Sequence, residues 1–483
     1  MWKLAVAFGV LIVLAAGSVI PTLTIAALLG VCMILALRGR WYLLPAIALF
    51  LAATTLPFQV PSAIGVGGFS FRLYEPILAA AFGWALTRRD TLNRLPKATL
   101  ALLLTMVGLG IVVALLGNAS PIRIIGDVRF VIETAMAALV AAVVVRDQKA
   151  KLASAKSMRA SLWISAAFTL LASAGVVTLS GRSEAANLDQ AAGADAATRI
   201  LAAATFFALA TLCVSIAAAV VGKLSMRATW TWWGPALLIL FLAFSRNHLV
   251  GIAVTILVAL VAARSFTRST KTLYVAAWAA LAIVAIAALS PLISDLPGGA
   301  WIDSQVQSYS SRVLEGFDSA VTSTDSSTVY RDMEIAKLQV VVEDSPLIGH
   351  GYGFAYQRPI GQRGTFFYER APYYSHNFYW WTLAKTGVVG LLLFLAAALS
   401  PLVVAMRDSS PGWGKAFAAT LGGLLAVCWV APLPIDAPSS AVIGAILGCT
   451  AGLASTARRS GYAVSSSPQR ASSPDTSTVI SPN

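Results

Sequence analysis

Residues 98–117 read ATLALLLTMVGLGIVVALLG, twenty residues without a charge. As a helix rising about 1.5 Å per residue, such a run crosses the roughly 30 Å of a bilayer's hydrocarbon core. Comparable apolar runs lie on either side of it, near 4–20, 22–37, 41–56, 73–87, 127–145, 160–179, 199–222, 229–244, 249–263, 272–293, 376–405, 415–432 and 439–455, making fourteen predicted spans in all. Of the 483 residues, 58% are hydrophobic and 12% charged, whereas a soluble domain carries about 25% charged residues. A water-soluble globule is excluded. The pattern predicts an all-α fold, a polytopic transmembrane bundle of about 12 to 14 helices with one large outer loop.

The expected organisation is a bundle of eleven spans over 1–293, an outer loop subdomain over 294–375, three more spans over 376–455, and a Ser/Pro-rich disordered cytoplasmic tail over 456–483. The first span is expected to be retained, because a second apolar run follows it at once. Cys32, Cys213, Cys428 and Cys449 all lie inside apolar runs and read as small core residues. No Walker lysine motif, HExxH sequence or zinc spacing occurs, so a nucleotide-driven pump and a zinc protease lack their chemistry.

With the amino terminus inside, most of the Lys and Arg fall in cytoplasmic segments and every short loop obeys the positive-inside rule. The inner segments then carry +18 and the outer ones −4, together the net +14 of the chain. The high pI therefore reflects topology and contact with membrane lipids, and nucleic acid is not an expected partner.

Several ionisable residues sit at the outer ends of spans: Arg72 with Glu75, Asp127 with Arg129 and Glu133, Arg246 with His248, and Lys385. Charges at that depth are costly unless they pair or face a wet cavity, so each is a structural ion pair or a site residue. Arg72 with Glu75 and Asp127 with Arg129 have partners close in sequence. Arg246, in Phe244-Ser245-Arg246-Asn247-His248, has no acid in its turn and needs an anion from elsewhere, protein or ligand. All three histidines, His248, His350 and His376, fall on the outer side. His350 lies between glycines and reads as a turn residue. His376 follows Tyr374-Ser375 at the membrane boundary, where an imidazole can be half-wet and act as a base.

Four motifs in order resemble those of the bacterial O-antigen ligase superfamily. Ser375 to Gly387 resembles its histidine, ten residues, glycine signature; Pro346-Leu347-Ile348-Gly349-His350-Gly351 resembles its Pro-Leu-x-Gly-x-Gly turn; Arg331 resembles the arginine opening the main helix of its large loop; and Ser245-Arg246 resembles its Ser-Arg pair. The resemblance covers roughly residues 240 to 400. Ile335 stands where a leucine is common, and fourteen spans exceed the family's usual number.

The resemblance implies a GT-C-like enzyme of the bacterial inner membrane, its large loop periplasmic. It would transfer a glycan from undecaprenyl diphosphate to a hydroxyl of a glycan or glycolipid acceptor. The superfamily includes polymerases and protein oligosaccharyltransferases, which leaves the acceptor open. Such a reaction needs a base, for which His376 is suited, and a cationic grip on the leaving diphosphate, for which Arg246 and Arg331 are suited. Arg129, Asn377, Tyr374, His248 and Gly387 are the expected substrate-binding positions. No cofactor is expected beyond the activated lipid donor. No metal is expected either, since the carboxylates of Asp332-x-Glu334 point to different sides of a helix. A lipid-linked oligosaccharide flippase and a non-catalytic scaffold are the competing readings; repeated halves would favour the first, and tolerance of losing His376 the second.

Overall fold

A computed structural model describes residues 30, 33–35, 38–58, 60, 62–66, 69–179, 181–185, 198–224, 226–263, 292, 298–310, 313, 326–363, 365–408 and 412–454. The predicted span at 4–20, most of those at 22–37 and 272–293, and the tail 456–483 lie outside the described residues. Each of the other eleven predicted spans coincides with a helix: α1 Leu44–Ala53, α2 Tyr74–Thr87, α3 Arg94–Leu116, α4 Pro121–Val144, α5 Gln148–Ser173, α6 Ala204–Val220, α7 Met226–Leu242, α8 Arg246–Ala263, and, after the loop region, α12 Phe378–Arg407, α13 Trp413–Val427 and α14 Ser439–Ala454. Between them α9 Gly299–Tyr309, α10 Ser326–Asp344 and the short α11 Phe366–Glu369 occupy the hydrophilic interval. The apolar rhythm of Tyr330 to Val342 falls inside α10.

By length and composition α3, α8 and α12 can each cross a membrane unaided, and α4 with α5, bent by 120° at their junction, would make a fourth span if taken as one. The remaining apolar helices are shorter. Asp147 caps α5 by accepting from the amides of Lys149 and Ala150, which satisfies donors that a helix start leaves open.

Two antiparallel hairpins amend the all-α expectation. β1 Ala63–Val66 pairs with β2 Phe69–Arg72, and β3 Gly181–Ala185 with β4 Thr198–Ala202. The register of the first runs from Ala63 opposite Arg72 to Val66 opposite Phe69. Segments this short cannot span a bilayer, and pairing two strands satisfies their backbone groups instead.

Close backbone contact holds the bundle together. Gly444, Gly448 and Gly452 recur every fourth residue on α14, and a Cβ at each would run into the Thr134, Ala138 or Ala142 carbonyl of α4. This is the small-residue packing by which helices approach in a lipid setting that supplies no hydrophobic drive between them. On the other side of the fold, α12 is broken at Gly387, whose φ of 63° and ψ of −169° are not helical. The Pro346–Gly351 turn fills the break: Val388 and Val389 donate to the Pro346 and Leu347 carbonyls at 2.8 and 3.1 Å, while His350 and Gly351 donate to the Ala384 and Lys385 carbonyls at 2.9 and 2.8 Å. The loop's backbone thus replaces hydrogen bonds that the helix loses.

Candidate functional site

The turn and the broken helix bring the loop region against the start of α12. Asn377 caps that helix, its Oδ1 accepting from the Tyr379 and Trp380 amides at 3.0 and 3.1 Å. His376, one residue earlier, is therefore held at a fixed helix start with its side chain 25% exposed. Its Nδ1 lies 2.8 Å from Oε2 of Glu334 on α10, and its backbone amide donates to the same oxygen at 3.2 Å. An amide can only donate, so that oxygen is an acceptor, and it accepts from the ring as well in the tautomer that carries its proton on Nδ1. In that tautomer the Nε2 lone pair is open; among the described residues Nε2 has no partner. The rings of Tyr374 and Tyr330 stand edge-on to the imidazole at 5.3 and 6.0 Å.

Glu334 is 2% exposed. The Tyr356 hydroxyl points at its Oε1 from 3.3 Å and donates to the Tyr374 carbonyl at 2.7 Å. Burial, and next the charge of Glu334, pushes the Tyr356 hydroxyl far above its ordinary range, so it stays a donor. Arg331 precedes Glu334 by three residues and so shares its face of α10. Burial raises the Tyr374 hydroxyl well above its usual value, and Arg331 is close enough to act against that rise. His376, Glu334, Arg331 and Tyr374 therefore form one neighbourhood. Asp332 is exposed on another face of the helix.

The other predicted residues are placed as follows. Arg246 heads α8 after Phe244, a buried residue at φ 41° whose ring packs near Tyr309. His248 is buried, edge-on to Phe206 at 6.1 Å, and its Nδ1 has no hydrogen-bond partner among the described residues. Gly387 faces the Leu347 carbonyl and Ile348 amide, so it seats the loop turn rather than opening onto a cavity. Arg129 is gripped through Nη2 by both carboxylate oxygens of Glu75 and donates from Nη1 to the Ser70 carbonyl.

The expected local pairs are replaced by pairs between helices. Glu75 takes Arg129 instead of Arg72. Asp127 takes Lys385, whose buried Nζ lies 2.6 Å from Asp127 Oδ2 and 2.7 Å from the Phe354 carbonyl, while the Gly353 amide donates to the same Oδ2 at 2.7 Å. Glu133 accepts from the Tyr74 hydroxyl at 2.7 Å. Helix packing overrides sequence proximity because each buried charge must find its counterion wherever the bundle offers one.

Residues 234–395 match the family model described as O-antigen ligase. That stretch, a third of the chain, is similar to the O-antigen ligases. Ser245-Arg246, Arg331, the Pro346–Gly351 turn and His376 to Gly387 all fall within the matched stretch, as does Glu334. Asp127 and Arg129 lie before it. No curated protein matches the chain. The match supports a membrane glycosyltransferase of ligase or polymerase type at family level, and the apolar helices fit a multi-pass membrane protein. Glu334 was missing from the expected site; only its spacing of three from Arg331 could have pointed to it.

Proposed function

We propose that the protein transfers a glycan from undecaprenyl diphosphate to an acceptor hydroxyl on the outer face of the inner membrane, with His376 as the base. The observation that carries this reading is the His376–Glu334 pair, which lies inside the matched stretch and leaves Nε2 open. In the step, the acceptor hydroxyl gives its proton to Nε2 as its oxygen bonds to the anomeric carbon. The bond from that carbon to the diphosphate oxygen breaks, and its electron pair leaves with the lipid diphosphate. Attack opposite the leaving group inverts the anomeric centre. Glu334 steadies the imidazolium that forms, as a buried carboxylate does for a catalytic histidine.

Arg331 faces the pair from α10 and is suited to the growing diphosphate charge, since a guanidinium grips phosphate oxygens in a fork and keeps its proton. Arg246 is the second proposed clamp, reaching the donor from the start of α8. In this reading no divalent ion is needed, because Glu334 is engaged by His376 while Asp332 points away from it.

The test is reconstituted transfer from a polyprenyl diphosphate-linked oligosaccharide, paired with analysis of surface glycan in cells that lack the gene. Unattached chains in those cells indicate a ligase and single repeat units a polymerase. A normal surface glycan, or wild-type transfer by both Arg331→Ala and Arg246→Ala, refutes the reading.

A further inference from the structure

A cleft of about 430 Å³ opens beside the histidine pair, within the range of small-ligand sites. Tyr374 forms part of its wall, with its ring 5.3 Å from that of His376. The matched family stretch supplies only one side, for β2 and the first turns of α4 build the other.

Four arginines line the cleft and they are not equivalent. Arg129 is held at both Nη atoms by Glu75 and Ser70, and its buried Nε has no partner among the described residues. The other three are held loosely. Arg123 stands 3.9 Å from the Glu369 carboxylate and donates to that residue's carbonyl at 3.3 Å. Arg370 stands 3.9 Å from Asp436, and Arg72 reaches only the Ser62 hydroxyl at 3.4 Å. Both 3.9 Å separations exceed hydrogen-bonding distance. Two of these forks are held in place by aromatic faces, Arg123 at 4.5 Å over Tyr373 and Arg370 at 5.8 Å over Tyr374.

Among the described residues, three loosely paired guanidiniums thus meet two carboxylates, a surplus of one positive charge. Asp127 with Lys385 and Arg129 with Glu75 are balanced pairs. The lining mixes these charges with Phe130 and Trp381. Aromatic faces suit the C–H face of a sugar, and carboxylates accept from its hydroxyls. A diphosphate has no apolar face, and its charge exceeds the surplus. We infer that this cleft binds an acidic sugar, one carboxylate-bearing residue of a glycan, and so selects acidic glycans for the reaction at His376. The link to that reaction rests on the function proposed above; the binding does not.

The test uses the full-length protein in detergent, with calorimetry against a galacturonate hexamer, maltohexaose and inorganic diphosphate. The galacturonate should bind, weaken with added salt, and exceed maltohexaose about tenfold or more in affinity. Arg123→Gln with Arg370→Gln should lower galacturonate affinity about tenfold or more, and Arg72→Gln, which alters only the hairpin, should act in the same direction. Equal binding of the neutral chain, no binding of galacturonate, diphosphate binding tighter than galacturonate at the same arginines, or undiminished affinity in folded variants would each overturn the assignment. His376→Ala should still bind galacturonate. If wild-type transfer fails while galacturonate binds, the reaction falls and the cleft stands; transfer without galacturonate binding gives the reverse.

Discussion

His376 Nδ1 lies 2.8 Å from Oε2 of Glu334, a carboxylate that no solvent-facing role explains, since it is almost wholly enclosed. Burying a carboxylate without a partner is strongly unfavourable. The imidazole, its own backbone amide and Tyr356 supply that partnership, and the ring orientation follows from it.

Removing His376, the proposed base, should therefore be more harmful than removing its proposed support, Glu334. His376→Ala should slow transfer by about 10² to 10⁴, the usual contribution of a positioned base. Glu334→Gln should slow it by roughly tenfold or more with little change in donor KM, because it disturbs ring orientation and imidazolium stability. Initial rates over a range of donor concentrations check both.

The Lys385–Asp127 pair is structural. With Lys385 1% exposed and Asp127 11% exposed at the side chain, Asp127→Ala leaves a buried ammonium with the Phe354 carbonyl and the rings of Tyr373 and Trp381 but no counterion among its described neighbours. The expected loss is about 3 to 5 kcal/mol, read as a lower melting temperature in detergent. Asp127→Leu combined with Lys385→Met should regain much of it.

Gly387→Ala should unseat the Pro346–Gly351 turn. The residue sits at φ 63°, and a Cβ would strike Leu347 and Ile348. Left-handed strain alone costs about 1 to 3 kcal/mol. The turn should then become susceptible to limited proteolysis, a change absent from Gly83→Ala, where a Cβ meets open space.

The α4–α14 seam offers a separate check on the fold. Gly448→Val would drive a branched side chain into the Ala138 backbone and should sharply reduce folded yield from membranes, whereas Gly108→Ala, with nothing near its Cβ, should not. Fluorescence-detected size exclusion distinguishes them.

Much of this was legible in the residues. Apolar runs marked helices well because a bilayer imposes length and hydrophobicity at once, and His376 stood out as an imidazole at the edge of such a run. Its partner did not, because Glu334 lies 42 residues away and meets it only when α10 docks on α12. Asp127 and Lys385 are 258 positions apart, so nearer residues looked like their natural counterions. The first hairpin is not marked in the sequence because its strands have four residues each, too few to register beside a span. Gly387 fitted a signature by spacing, but spacing says nothing of what a glycine's bare backbone touches.

The most direct test of the base assignment is a double-mutant cycle between His376 and Glu334, measured as single-turnover transfer. If Glu334 acts through the imidazole, Glu334→Gln slows the wild type but adds nothing in the His376→Ala background. Full multiplication of the two losses, or an undiminished rate in His376→Ala alone, would contradict the account.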